Sequence, residues 1–126
     1  MSNHLHLIAG SKDGYILSDI LRDFKKFTSK AIIKCADDIK ESRREWMLNR
    51  FGFRGANDKK IKFYKVWKDG NEAKEIYSSE FLQQKLDYIH NNPVKADIVD
   101  LPEQYRYSSA RNYRGRHGLL DVIFIV

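Results

Sequence analysis

A single cysteine, Cys35, excludes an internal disulfide framework and fits a reducing compartment. Long apolar runs are also missing. The longest, Val122 to Val126, falls far short of the ~18 consecutive apolar residues that suggest a membrane span, so no membrane association is expected. No basic stretch followed by an apolar core opens the chain, and no signal peptide is expected. There is no internal repeat and no low-complexity linker. With 42% hydrophobic and 32% charged residues the chain belongs to the soluble globular class, and 126 residues suffice for one core, so a single domain over 1–126 is expected.

What is present in excess is positive charge, unevenly spread. Against a net charge of +6, the segment Arg22–Lys68 holds 15 basic and 6 acidic residues, whereas Asp69–Glu103 holds 3 basic and 8 acidic. The basic half is interleaved with Phe27, Trp46, Phe51, Phe53, Phe63, Tyr64 and Trp67. Cations for phosphates and flat rings for bases suit a single-stranded nucleic acid, and a solvated basic surface around an aromatic core reads equally well.

Local patterns give an α+β inventory. His4 to Ala9 alternates as a short strand, closed by Gly10 and a turn at Lys12-Asp13-Gly14. Ile20, Leu21, Phe24, Phe27, Ala31 and Ile32 recur at helical spacing, with Ser18 expected to cap that helix. A second helix is expected from Asp37 to about Arg50, followed by a loop at Gly52, Gly55 and Asn57-Asp58. Phe63–Trp67 reads as a strand, Ala73–Tyr77 as a short return, and the run from Leu119 as a final strand. A helix from Ser78 or Ser79 carries the stripe Leu82, Leu86, Ile89, and Pro93 is expected to limit it.

Two patterns carry chemistry. His4 and His6, two apart on an expected strand, point to one face, which suits a divalent metal held by two imidazoles; a solvent-exposed pair gives the same spacing. In the helix Leu86-Asp87-Tyr88-Ile89-His90-Asn91-Asn92-Pro93, Tyr88 stands four residues from both Gln84 and Asn92, so each shares its face.

Met1-Ser2-Asn3-His4-Leu5-His6-Leu7-Ile8 together with Tyr88-Ile89-His90-Asn91-Asn92-Pro93-Val94-Lys95-Ala96 resembles the single-tyrosine HUH transposases, in particular the REP-associated tyrosine transposases. The similarity continues through Phe24-Lys25-Lys26-Phe27-Thr28, Val66-Trp67, Phe81 to Leu86 and Tyr105 to Ala110. The resemblance implies that Tyr88 is the nucleophile and that His4 and His6 are metal ligands. By the same resemblance Asn92 matches the residue that completes the metal site in some members, a glutamine in others, and Gln84 is a weaker polar candidate nearby. It implies Mg²⁺ or Mn²⁺ as cofactor and single-stranded or hairpin DNA as substrate. It also implies a 5′-phosphotyrosine intermediate in DNA transposition and recombination of a mobile element, in the cytoplasm near the bacterial nucleoid.

Arg22, Lys25, Lys26, Lys30, Arg43 and Arg44 are the candidate phosphate contacts. The fold implied is a ferredoxin-like antiparallel sheet with helices packed on one face. Family members carry a strand–helix–strand ahead of the HUH strand, whereas the motif here begins at residue 4. A partial sheet, an N-terminally truncated member and a homodimer formed through the open edge are therefore expected. The competing readings are a nucleic-acid-binding module without catalysis and a nuclease that uses metal-activated water.

Overall fold

The computed structural model describes residues 3–56 and 64–125. The chain forms two compact units, one of Met1–Ala9 with Ala73–Val126 and the other of Gly10–Glu72.

The α+β expectation is overturned: among the described residues there are helices and no β-strand. His4–Ala9, residues 64–67, Ala73–Tyr77 and the described part of the run from Leu119 lie outside any ladder; Phe63 is outside the described residues. Alternation of apolar and polar residues makes a segment competent for pairing, but a strand exists only when a neighbour takes its backbone hydrogen bonds. Leu5 and Leu7, which alternate with His4 and His6, are 51% and 56% exposed. With no ladder among them, the described residues do not form the ferredoxin-like sheet.

In the Gly10–Glu72 unit, α1 spans Leu17–Asp38 and α2 spans Arg44–Ala56. Ser18 lies inside α1; Ile16 occupies the cap position and offers no side-chain oxygen. The second helix was expected to begin at Asp37, but α1 runs through that position. Its end is a Schellman motif: Lys40, at φ 48°, donates to the Asp37 carbonyl (3.2 Å) and Glu41 donates to that of Ala36 (3.2 Å). The usual glycine signal is absent there. Gly52 and Gly55, expected in a loop, are helical. Trp67 lies against α1, donating from Nε1 to Thr28 Oγ1 (2.9 Å), with its ring 6.0 Å from that of Phe24.

In the other unit, α3 spans Ser79–Lys95, a 3₁₀ turn spans Pro102–Gln104 and α4 spans Ala110–Tyr113. Of the two starts read from sequence, Ser78 is the cap of α3: its Oγ accepts from the Phe81 backbone N–H at 3.1 Å. The Glu80 carboxylate is held below its ordinary range by its backbone hydrogen bond and by Ser78.

Pro93 does not limit α3. The helix continues to Lys95 and closes with the same motif as α1, Asp97 (φ 52°) donating to Val94 and Ile98 to Pro93, at 3.0 and 2.9 Å. Proline forfeits only one donor and the end is recovered by this cap, so the residues around it keep helical register. α4 ends alike around Gly115 (φ 71°), with bonds from Gly115 to Asn112 and from Arg116 to Arg111.

Leu86, His90 and Pro93 form the buried side of α3, and Ala110 is buried on α4. His90 is the anchor of this side. Its Nε2 meets Ser109 Oγ at 2.9 Å and its ring lies 5.2 Å from that of Tyr113. Tyr113 in turn packs edge-on to Phe124 at 5.0 Å and accepts at its hydroxyl from the Ile125 N–H at 3.3 Å. This polar and aromatic chain sets the rotation of α3 and turns Tyr88 outward.

Candidate active site

Helical geometry separates Leu86 and Tyr88 by about 200°, so the rotation that buries Leu86 presents Tyr88 on the opposite face. Tyr88 is 47% exposed. The N-terminal segment of the same unit crosses this face.

His4 and His6 lie with ring centroids 4.9 Å apart, edge to face, and His6 lies 5.7 Å from the Tyr88 ring in the same manner. Asn92, one turn beyond Tyr88, places its Nδ2 3.1 Å from His6 Nε2. His4, His6, Tyr88 and Asn92, drawn from the two ends of the sequence, therefore meet in one cluster. Gln84 lies one turn before Tyr88 and lines a shallow groove with Asp87, Tyr88, Asn91 and Lys95.

The donor chemistry of the cluster fits a divalent cation. His4 Nδ1 meets Asn3 Oδ1 at 2.7 Å. With the proton on Nδ1, that bond orients the ring and leaves Nε2 as the lone-pair atom. His6 Nε2 faces the Asn92 carboxamide. Amide nitrogen and oxygen are interchangeable by a flip about the terminal bond. With the oxygen turned inward, two acceptors would face each other, an arrangement that a cation between them satisfies. No group of three His, Cys, Asp or Glu that could hold a metal occurs among the described residues; the third donor here is an amide.

The six expected phosphate contacts lie in the other unit, and four are already engaged. Arg22 bonds Asp19 at 2.7 Å and Asp23 at 3.0 Å. Its guanidinium is raised above its ordinary value, chiefly by the hydrogen bond to Asp23, whose carboxyl is lowered in return. Arg44 bonds Asp37 at 2.8 Å and Arg43 bonds Glu41 at 3.5 Å. Lys25 Nζ donates to the Gly70 and Lys68 carbonyls at 2.9 and 3.4 Å. Lys26 and Lys30 are exposed.

Two residues of α3 that the sequence reading passed over belong to this description. His90 is 9% exposed, and burial pushes its pKa down against a smaller opposing effect of Asp87. Its position four residues after Leu86, on the apolar stripe, was the available signal. Lys95 sets its ammonium 5.9 Å from the centroid of the Tyr88 ring; its seven-residue offset from Tyr88 was the signal there. No family model matches this chain, and no curated protein or solved structure matches it. No helix among the described residues is long and apolar enough to cross a membrane.

Proposed function

We propose that this protein cleaves and rejoins single-stranded DNA through a covalent bond to Tyr88, the strand-transfer chemistry by which transposases move mobile elements. The observation that carries the reading is the cluster of His4, His6, Tyr88 and Asn92, whose members lie up to 88 residues apart in sequence. A half-exposed tyrosine beside two imidazoles and a carboxamide brings a nucleophile and lone-pair donors to one place.

Tyr88 Oη attacks the phosphorus of a phosphodiester, the P–O3′ bond breaks, and the departing oxygen becomes a 3′-hydroxyl. The phenolic proton passes to solvent and the leaving oxygen takes a proton up, so one ester replaces another. Attack of a 3′-hydroxyl on the phosphotyrosine reverses the step and joins DNA. His4, His6 and Asn92 would hold a Mg²⁺ or Mn²⁺ ion, which would supply charge stabilisation for the phosphate. His6 and Asn92 hold each other in place, and the Ser109–His90 bond keeps Tyr88 turned toward them.

The test is denaturing electrophoresis after incubating the protein with Mn²⁺ and a pool of labelled single-stranded hairpin oligonucleotides. A covalent adduct that disappears in Tyr88→Phe is expected. DNA cleavage without an adduct would mean water is the nucleophile. Binding without cleavage would leave a nucleic-acid-binding module.

A further inference from the structure

The groove beside Tyr88 and the two cation–aromatic pairs of α3 lie along one line, and the line has a polarity suited to a particular ligand. In a helix, positions seven apart return to within about 20° of each other. Phe81, Tyr88 and Lys95 therefore share a face, spaced about 10 Å apart along the axis. At the first position Phe81 is covered on one side by Tyr77, stacked at 4.9 Å and 13°, and approached by Lys85 Nζ at 4.8 Å. Tyr77 is 79% exposed, so its ring presents surface to solvent. At the last position Lys95 leans back over Tyr88, as helical side chains do because their Cα–Cβ bonds tilt toward the N-terminus.

Charge separates this face from the basic surface of α1 and α2. No ion pair engages Lys85 or Lys95 among the described residues, whereas Arg22, Arg43 and Arg44 are paired with carboxylates. Of the acids of α3, Glu80 stands off the line and Asp87 borders the groove at its side. Glu80 and Asp87 lie about 80–100° around the helix from Tyr88, and the Asp87 carboxylate accepts from Gln83 at 2.9 Å. Asp87 is also about 12 Å along the axis from Lys95, beyond a Debye length at physiological salt.

From this we infer that a single DNA strand runs lengthwise along the Phe81–Tyr88–Lys95 face of α3. Lys95 takes a phosphate beside the nucleophile and the Tyr77 ring stacks a base at the far end. This rests on the reading that Tyr88 faces single-stranded DNA and adds the path and two contacts. Lys95 touches the substrate phosphate; Lys85 and Phe81 back the ring that stacks the base.

The test uses the full chain and an end-labelled oligodeoxythymidylate, with affinity measured by fluorescence anisotropy across a salt series. Each phosphate contact on a single strand contributes about 0.7 to the slope of log affinity against log salt. Lys95→Gln is expected to lower that slope by about 0.7, with Lys95→Arg restoring it. Tyr77→Ala is expected to weaken binding roughly five- to one-hundred-fold with the slope unchanged. Circular dichroism melts show whether each variant is folded and equally stable, which separates a phosphate contact of Lys95 from a helix-end charge effect on folding.

An unchanged slope in Lys95→Gln overturns the path, even when Tyr88 adducts form normally, which leaves the proposed chemistry standing. The expected slope loss without any Tyr88 adduct supports the path and overturns the chemistry. Failure of the chain to bind the oligonucleotide at all overturns both.

Discussion

The cap that closes α3 gives the most quantitative consequence, because its central residue carries a side chain where the backbone favours glycine. Asp97 sits at φ 52°, and the bonds from Asp97 to Val94 and from Ile98 to Pro93 depend on that left-handed turn. A β-carbon in this region costs roughly 1–2 kcal/mol, with Asp toward the low end because its short polar side chain tolerates it. Asp97→Gly removes that cost but returns about 0.4–1 kcal/mol through the freer unfolded chain, for a net gain near ~0.5 kcal/mol. Asp97→Val puts a β-branched residue at positive φ. It accepts about 2 kcal/mol of strain or loses two hydrogen bonds worth ~1 kcal/mol each.

Since Asp97 already carries about 1 kcal/mol of that strain, the two substitutions differ by about 1.5 kcal/mol at a site where the side chain is exposed. With a urea dependence of about 1–3 kcal/mol per molar, the unfolding midpoints should separate by roughly 0.5–1.5 M, Gly above and Val below the parent. Helix circular dichroism across a urea series reads them. Coincident midpoints for Gly and Val would refute the cap, and with it the account of how α3 passes Pro93 and carries Asn92 and Lys95 to its end.

Three further outcomes follow from the same structure. Ser78→Ala should cost about 1 kcal/mol of stability in a urea melt by removing the acceptor for the Phe81 N–H, and an unchanged midpoint would mean that the bond contributes nothing. Because burial lowers the pKa of His90, the unfolded state takes up this proton first as pH falls below the ordinary value of 6.5. Stability should be full above that value and decline toward the folded pKa, and His90→Gln should flatten the decline in urea midpoints; an identical decline in both proteins would assign it to other groups. His6→Ala, or chelation of Mn²⁺ in the parent, should abolish the covalent adduct while oligonucleotide binding persists, since cations supply most of that affinity. Adduct formation at the parental rate in His6→Ala would remove His6 from the metal site.

The sequence by itself determined what depends on near neighbours. Ser78 caps α3 because its hydroxyl needs only the N–H three residues on, and the stripe through Leu86 turns Tyr88 outward because 3.6 residues make a turn. The i,i+3 pairing of Asp19 with Arg22 was equally local and equally legible, and it neutralises a residue chosen from its charge alone. The ends of α1 and α3 were not legible, because Lys40 and Asp97 take the left-handed position without being glycine.

Pro93 marked a boundary by its local preference, yet burial of its ring and the closing bond to its carbonyl outweigh the one donor it lacks. The expected sheet failed for a related reason. Alternation at His4–Ala9 is a local property, whereas a ladder is a property of two segments, and the described residues supply no second one. Only the tertiary structure decided that His6 meets Tyr88 and Asn92, 82 and 86 positions away in the chain. No periodicity reaches that far; packing of α3 through His90, Ser109 and Tyr113 sets which face is left for the N-terminal segment to cross.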